Sequence, residues 1–157
     1  MDAKVTLMQN MTFLGVSDSG HEVRMDSSLE GGGEDSAVRP MELVALAMGG
    51  CTGMDVISIL RKKRQEVTHF DVKLHLERAE DYPRIFTSAW IVYEVGGKDV
   101  EEAAVLRAIQ LSADKYCPVY AMLSEVFPIE LRYRILNEAG GLVKEGAMEP
   151  DLPVPVR

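Results

Sequence analysis

Two cysteines and three histidines are all that this 157-residue chain offers of those residue types. A secreted, disulfide-stapled domain ordinarily carries more cysteine in a shorter chain, so that class is excluded. Zinc sites use closely spaced Cys/His pairs, and His21, His69 and His75 form none with Cys51 or Cys117. No metal is therefore expected. Basic charge is also scarce: 17 Lys and Arg stand against 25 Asp and Glu, a formal net charge of −8. That balance opposes a nucleic-acid backbone or an anionic membrane as partner, since both attract a basic surface. No run approaches the roughly 18 uninterrupted apolar residues of a membrane span. The opening Met1-Asp2-Ala3-Lys4 lacks the basic-then-apolar layout of a secretory signal. The expectation is a soluble, cytoplasmic protein. Gly31-Gly32-Gly33 lacks a following Lys-Ser/Thr and the G-x-G-x-x-G spacing of a phosphate cradle. It reads as a flexible connector.

What is present is ordinary globular material, 46% hydrophobic and 27% charged. The length fits one domain able to bury a core without staples. We expect that domain to span residues 1–139. The remainder, 140–157, with Pro150, Pro153 and Pro155, reads as an extended arm or disordered tail.

Lys4 to Val16 reads as one or two strands. Ser17-Asp18-Ser19-Gly20 is a turn cluster, and His21 to Met25 resumes a short strand. A long helix is predicted over Pro40–Arg64. Pro40 suits the first helical position, Glu42 the anion-favouring first turn, and Arg61-Lys62-Lys63-Arg64 the cation-favouring end. Leu43, Ala47, Cys51, Met54 and Ser58 recur at helical spacing. Gly49-Gly50 is unusual there, because each glycine costs about 1 kcal/mol against alanine. Close packing by another element, or close approach of something to Cys51, would account for it. The helix is apolar enough to need cover on most sides, which points to a homodimer.

Phe70, Val72, Leu74 and Leu76 alternate with polar residues as one strand, and Ile85 to Val95 forms a second that Gly96-Gly97 ends. Asp99 to Lys115 is the second long helix. Cys117-Pro118 interrupts it, Val119 to Val126 is a short helix, and Ile129 to Ile135 is a strand. Strands, helix, strands, helices, strand is an α+β order.

A thiol reacts as its thiolate, so a reactive cysteine needs a lowered pKa. Cys117 stands at a predicted helix N-terminus, where N–H groups favour an anion. Cys51 lies mid-helix on the apolar face, where desolvation opposes one. A cation that activates Cys51 must come through the fold, and Arg24 and Arg39 are the candidates. On these features alone the cysteines read either as two buried thiols or as a redox pair. A Cys–His hydrolase finds no marked orienting residue or oxyanion hole.

Two segments carry a resemblance. Arg39-Pro40-Met41-Glu42-Leu43 through Gly49-Gly50-Cys51-Thr52 resembles the Pro-x-Glu-Leu helix that leads into the first cysteine of the OsmC/Ohr family. Ala113-Asp114-Lys115-Tyr116-Cys117-Pro118-Val119 resembles that family's second-cysteine segment. The resemblance implies an intertwined homodimer, with strands wrapped around two long central helices. In peroxidase members the first cysteine attacks a hydroperoxide and becomes a sulfenic acid. The second condenses with it to a disulfide, and an external dithiol resets the pair. Carried over, Cys51 attacks and Cys117 resolves, the reverse of the local acidity reading. No bound cofactor is implied; a small-molecule hydroperoxide and a dithiol reductant are.

The departures are specific. The family's glutamate stands ten positions before the attacking cysteine, where this chain has Met41. Glu42 is one place later, a turn of about 100° around a helix. Its roles here are helix cap or partner of the attacking cysteine. The pattern looks closer to the uncharacterised OsmC-like branch than to the hydroperoxide resistance proteins. The alternatives to a peroxidase are a non-catalytic binder of a small apolar or thiol-reactive ligand, and a redox sensor. Met48, Met54, Val119 and Met122 would line a greasy pocket or simply pack the core.

Overall fold

A computed structural model describes residues 1–148. The three prolines of the expected tail lie outside the described residues. The chain divides into two compact units, Met1–Leu46 and the part from Ala47 onward. Among the described residues each unit has its own sheet, and no strand ladder joins the two sheets.

The first unit is an antiparallel meander of β1 (Ala3–Gln9), β2 (Thr12–Ser17) and β3 (Glu22–Met25). The predicted turn cluster closes β2 onto β3. Gly20 adopts φ +76°, a conformation that favours glycine, and its N–H bonds the Ser17 carbonyl at 2.9 Å. The glycine segment that follows is not a loose connector. Asp26, only 2% exposed, gathers it: the carboxylate accepts from the N–H groups of Ser27, Glu34 and Ser36 and from the Ser36 hydroxyl.

Helix α1 runs Pro40–Lys62, with proline at its first position as the sequence indicates. It stops two residues before the predicted end. Arg64 takes a left-handed φ of +59°, its N–H bonds the Arg61 carbonyl, and the Gln65 N–H bonds Leu60. This is a Schellman termination with arginine in the place glycine usually fills. By length and composition α1 passes for a membrane span. Core helices pass the same test, and Met48, Val56 and Leu60 on this one are wholly buried.

The second unit holds a four-stranded sheet in the order β4-β5-β6-β7: β4 (Glu66–Arg78), β5 (Phe86–Lys98), β6 (Ile129–Leu136) and β7 (Leu142–Ala147). β5 and β6 are parallel and the outer pairs antiparallel. Parallel neighbours need a crossover, supplied by α2 (Glu102–Leu111) and α3 (Pro118–Ser124). Ile91, Tyr93 and Val95 of β5 and Val105, Ala108 and Ile109 of α2 are at most 1% exposed and form the core with α1.

Three sequence expectations change here. Gly96-Gly97 does not end β5. A Cβ on Gly97 would stand 2.0 Å from the Glu66 carbonyl oxygen, so glycine serves a close strand approach at the β4 bulge. Part of the expected tail, residues 142–147, is β7, an edge strand paired with β6. The second long helix ends as α-helix at Leu111, and Ser112–Tyr116 is a π-turn. Of the two accounts of Gly49-Gly50, packing applies to Gly49, whose added Cβ would lie 2.5 Å from Leu74 Cδ1. Gly50 faces open space.

Candidate functional site

The π-turn sets the site. Its widened ring is closed by a 2.9 Å bond from the Cys117 N–H to the Ser112 carbonyl, five residues back. Cys117 then leaves the helical region at φ −81°, ψ 102°, and Pro118 begins α3. The same turn aims the Ser112 hydroxyl into the core, where it is fully buried.

Cys51 is carried by α1 and is partly exposed, whereas Cys117 is buried. Their sulfurs and a carboxylate oxygen of Asp55 all lie within 4.8 Å of one another. The trio falls one protein donor short of a closed tetrahedral zinc site. A second group, His69, Asp71 and Glu94, is equally compact. Its Glu94 is already ion-paired with Lys73 and Arg134 at 3.0 and 2.9 Å.

The acidity expected at Cys117 is overturned. Its sulfur does accept from the Tyr120 N–H at 3.3 Å, as a helix cap should. Burial outweighs that bond, and with the neighbouring Cys51 thiol it pushes the Cys117 pKa up to about 12. A short helix N-terminus does not offset desolvation at a residue 2% exposed.

Beneath the thiols runs a buried hydroxyl chain that sequence reading missed. Thr52 Oγ1 is 2.6 Å from the Tyr93 hydroxyl and 2.9 Å from Ser112 Oγ. Ser112 Oγ donates to Asp55 Oδ2 at 3.2 Å. Burial raises the Tyr93 pKa, so its hydroxyl stays protonated. The signal for Asp55 was available. It is the one charged residue of α1 between Glu42 and Arg61, and it follows Cys51 by four positions, hence on the same face.

The remaining sequence candidates belong to the first unit. Arg39 donates from its backbone N–H to Glu42 Oε2 and from its guanidinium to Glu42 Oε1, each at 2.9 Å, and also pairs with Asp35 at 2.7 Å. Glu42 thus caps the start of α1. Both partners shift: backbone and guanidinium bonds from Arg39 lower the Glu42 pKa, and Glu42 raises that of Arg39. Arg24 lies exposed on β3 opposite Leu14, and it makes no ion pair among the described residues. Of the suggested pocket residues Met48 is fully buried in the core, while Met54 and Met122 are 70% and 64% exposed.

Comparison with known proteins agrees with this architecture. The family described as OsmC-like protein matches residues 32–132. Protein YhfA of Escherichia coli (strain K12) is 46% identical over 136 residues, covering 87% of this chain and 98% of that one. A hypothetical protein from Aquifex aeolicus VF5 superposes with a TM-score of 0.77 at 34% identity, over 87% of this chain and 96% of that one. An organic hydroperoxide resistance protein from Elizabethkingia anophelis superposes with a TM-score of 0.63 over 87% and 94%; at 16% identity it shows the shared fold alone. With an α+β fold of this kind and a family match across most of it, the chain belongs to the OsmC-like protein family.

Proposed function

We propose that this protein is a thiol-dependent peroxidase that reduces organic hydroperoxides through Cys51 and Cys117. The observation that carries the reading is the pairing of two free sulfurs within 4.8 Å of one another, one partly exposed and one buried. An attacking thiolate needs access to its substrate, which suits Cys51. A resolving thiol needs only the attacking sulfur, which suits Cys117. The proposed disulfide requires the two sulfurs to close to roughly 2 Å.

In the proposed cycle the Cys51 thiolate attacks an oxygen of the hydroperoxide and the O–O bond breaks. Cys51 becomes a sulfenic acid and the alcohol leaves with a proton. Cys117 condenses with the sulfenic acid, water is lost, and the pair is left as a disulfide, two electrons poorer, those electrons having reduced the O–O bond. An external dithiol restores both thiols. That requirement accords with a cytoplasmic location.

Arg39 and Glu42 neutralise each other, so neither is assigned a part in the reaction. Arg24 is carried forward as the activating arginine because its charge is unpaired among the described residues. We also propose a homodimer. Support comes from the first unit, where every residue of β1 is exposed, Val5, Leu7 and Met8 among them, and from the second, where Met54, Met122 and Val126 are exposed. Engagement of Glu42 as a cap, with Met41 before it, favours a second reading: a binder of a small thiol-reactive ligand that does not turn over.

The test is the fate of the thiols after one equivalent of cumene hydroperoxide. Loss of both in the wild type, with a persistent Cys51 sulfenic acid in Cys117→Ser, supports the cycle. Thiols inert to peroxide would overturn it and leave the binding reading.

A further inference from the structure

We propose that Asp55 accepts the proton of the resolving thiol, held for that purpose by the buried Tyr93–Thr52–Ser112 hydroxyl chain. The inference rests on Cys117 acting as the resolving thiol.

The geometry is direct. A carboxylate oxygen of Asp55 lies within 4.8 Å of both sulfurs. Asp55 is only partly exposed, and no ion pair neutralises it among the described residues. A lone carboxylate on the core-facing helix of a fold is costly unless it is hydrogen-bonded and used.

The hydroxyl chain has a fixed direction. A carboxylate only accepts, so Ser112 must spend its one hydrogen on Asp55. Ser112 therefore accepts from Thr52, and Thr52 in turn accepts from Tyr93. Three elements contribute: α1, β5 and the π-turn that follows α2. Every hydrogen points toward Asp55. The arrangement pins Asp55 Oδ2 through Ser112 and holds the carboxylate beside the two thiols. The groups that face Asp55 are Cys51 on its own helix, Cys117 at the start of α3, and Ser112. Tyr93 and Tyr120 act on the same cluster from β5 and α3.

The chemistry needs such an acceptor. Cys117 is buried with its pKa pushed up, so almost none of it is thiolate at neutral pH. As the Cys117 sulfur bonds to the Cys51 sulfur, its proton passes to Asp55. The Cys51 S–O bond breaks, and the departing hydroxide takes that proton and leaves as water. Asp55 is regenerated, and the step consumes nothing beyond the sulfenic acid and the thiol.

The experiment separates this step from peroxide chemistry. Reduced protein is treated with an aromatic disulfide that caps Cys51 and releases one coloured thiolate. Attack by Cys117 on the capped Cys51 releases the second. That second release is followed in wild type, Asp55→Asn and Asp55→Glu over roughly pH 6 to 9. All three are first shown to be folded by thermal melting.

Wild type should resolve at a rate nearly independent of pH. Asp55→Asn should be slower by about 10²-fold near neutral pH, its rate climbing with pH as hydroxide replaces the carboxylate. Asp55→Glu should restore part of the rate. Equal rates and equal profiles in wild type and Asp55→Asn would overturn the inference. So would a capped Cys51 that Cys117 never attacks. A peroxidase reading that fails through inert thiols would show separately, as no sulfenic acid with cumene hydroperoxide.

Discussion

Ser112 donates its hydroxyl hydrogen to Asp55 at 3.2 Å, across 57 residues of sequence. The bond joins the π-turn before one cysteine to the helix that carries the other. It therefore links the placement of Cys117 to the placement of Cys51. The hydroxyls behind it are at most 1% exposed, so each has only its protein partners for hydrogen bonding.

Two substitutions in that chain should differ in cost. Tyr93→Phe removes the terminal donor and leaves Thr52 short of one bond it accepts. Thr52→Val strips partners from Tyr93 and Ser112 at once. A buried polar group left unpaired costs about 1–3 kcal/mol. Denaturant unfolding should thus rank Thr52→Val as the more damaging, and equal stability for the two variants would contradict the chain as described.

The Asp26 loop should respond to acid. Hydrogen bonds from Ser36, first the backbone and then the side chain, lower the Asp26 pKa to about 2 from an ordinary 3.8. A depressed folded-state pKa means stability that is fully present above the unfolded value. It is lost as pH falls from near 4 through about 2. Hydrogen exchange in residues 26–36 should accelerate across that window in wild type. In Asp26→Asn it should already be fast at neutral pH and show no such acid step.

Glycine substitutions separate packing from backbone approach. Gly97→Ala would drive a Cβ against the Glu66 carbonyl, which is backbone and cannot swing away. Gly49→Ala meets the tip of Leu74, a flexible side chain that rotates aside. Overpacking of a fixed neighbour costs about 1–3 kcal/mol. Thermal melting should show that loss for Gly97→Ala and a smaller one for Gly49→Ala.

Much of the fold was legible because it follows local chemistry. Pro40 and Glu42 mark the start of α1, and the alternation of Phe70, Val72, Leu74 and Leu76 marks β4. The features that escaped depend on partners distant in sequence. Arg64 ends a helix in a conformation that glycine usually takes, and Gly97 sits within a strand because Glu66 passes beside it. Nothing in Ser112 to Tyr116 distinguishes a π-turn from an ordinary helix end. At the site, both cysteines were found from their flanking residues. The acidity of Cys117 was misread because helix capping is local and burial is not. Asp55 was overlooked although a single charge on so apolar a helix face was its own signal.

The central claim is that this cysteine pair turns over hydroperoxide. The measurement that meets it most directly is consumption of cumene hydroperoxide by the purified protein, with dihydrolipoamide as reductant and Cys51→Ser as control. The account predicts sustained turnover in the wild type that vanishes in the control. Absence of turnover from folded wild-type protein would contradict it.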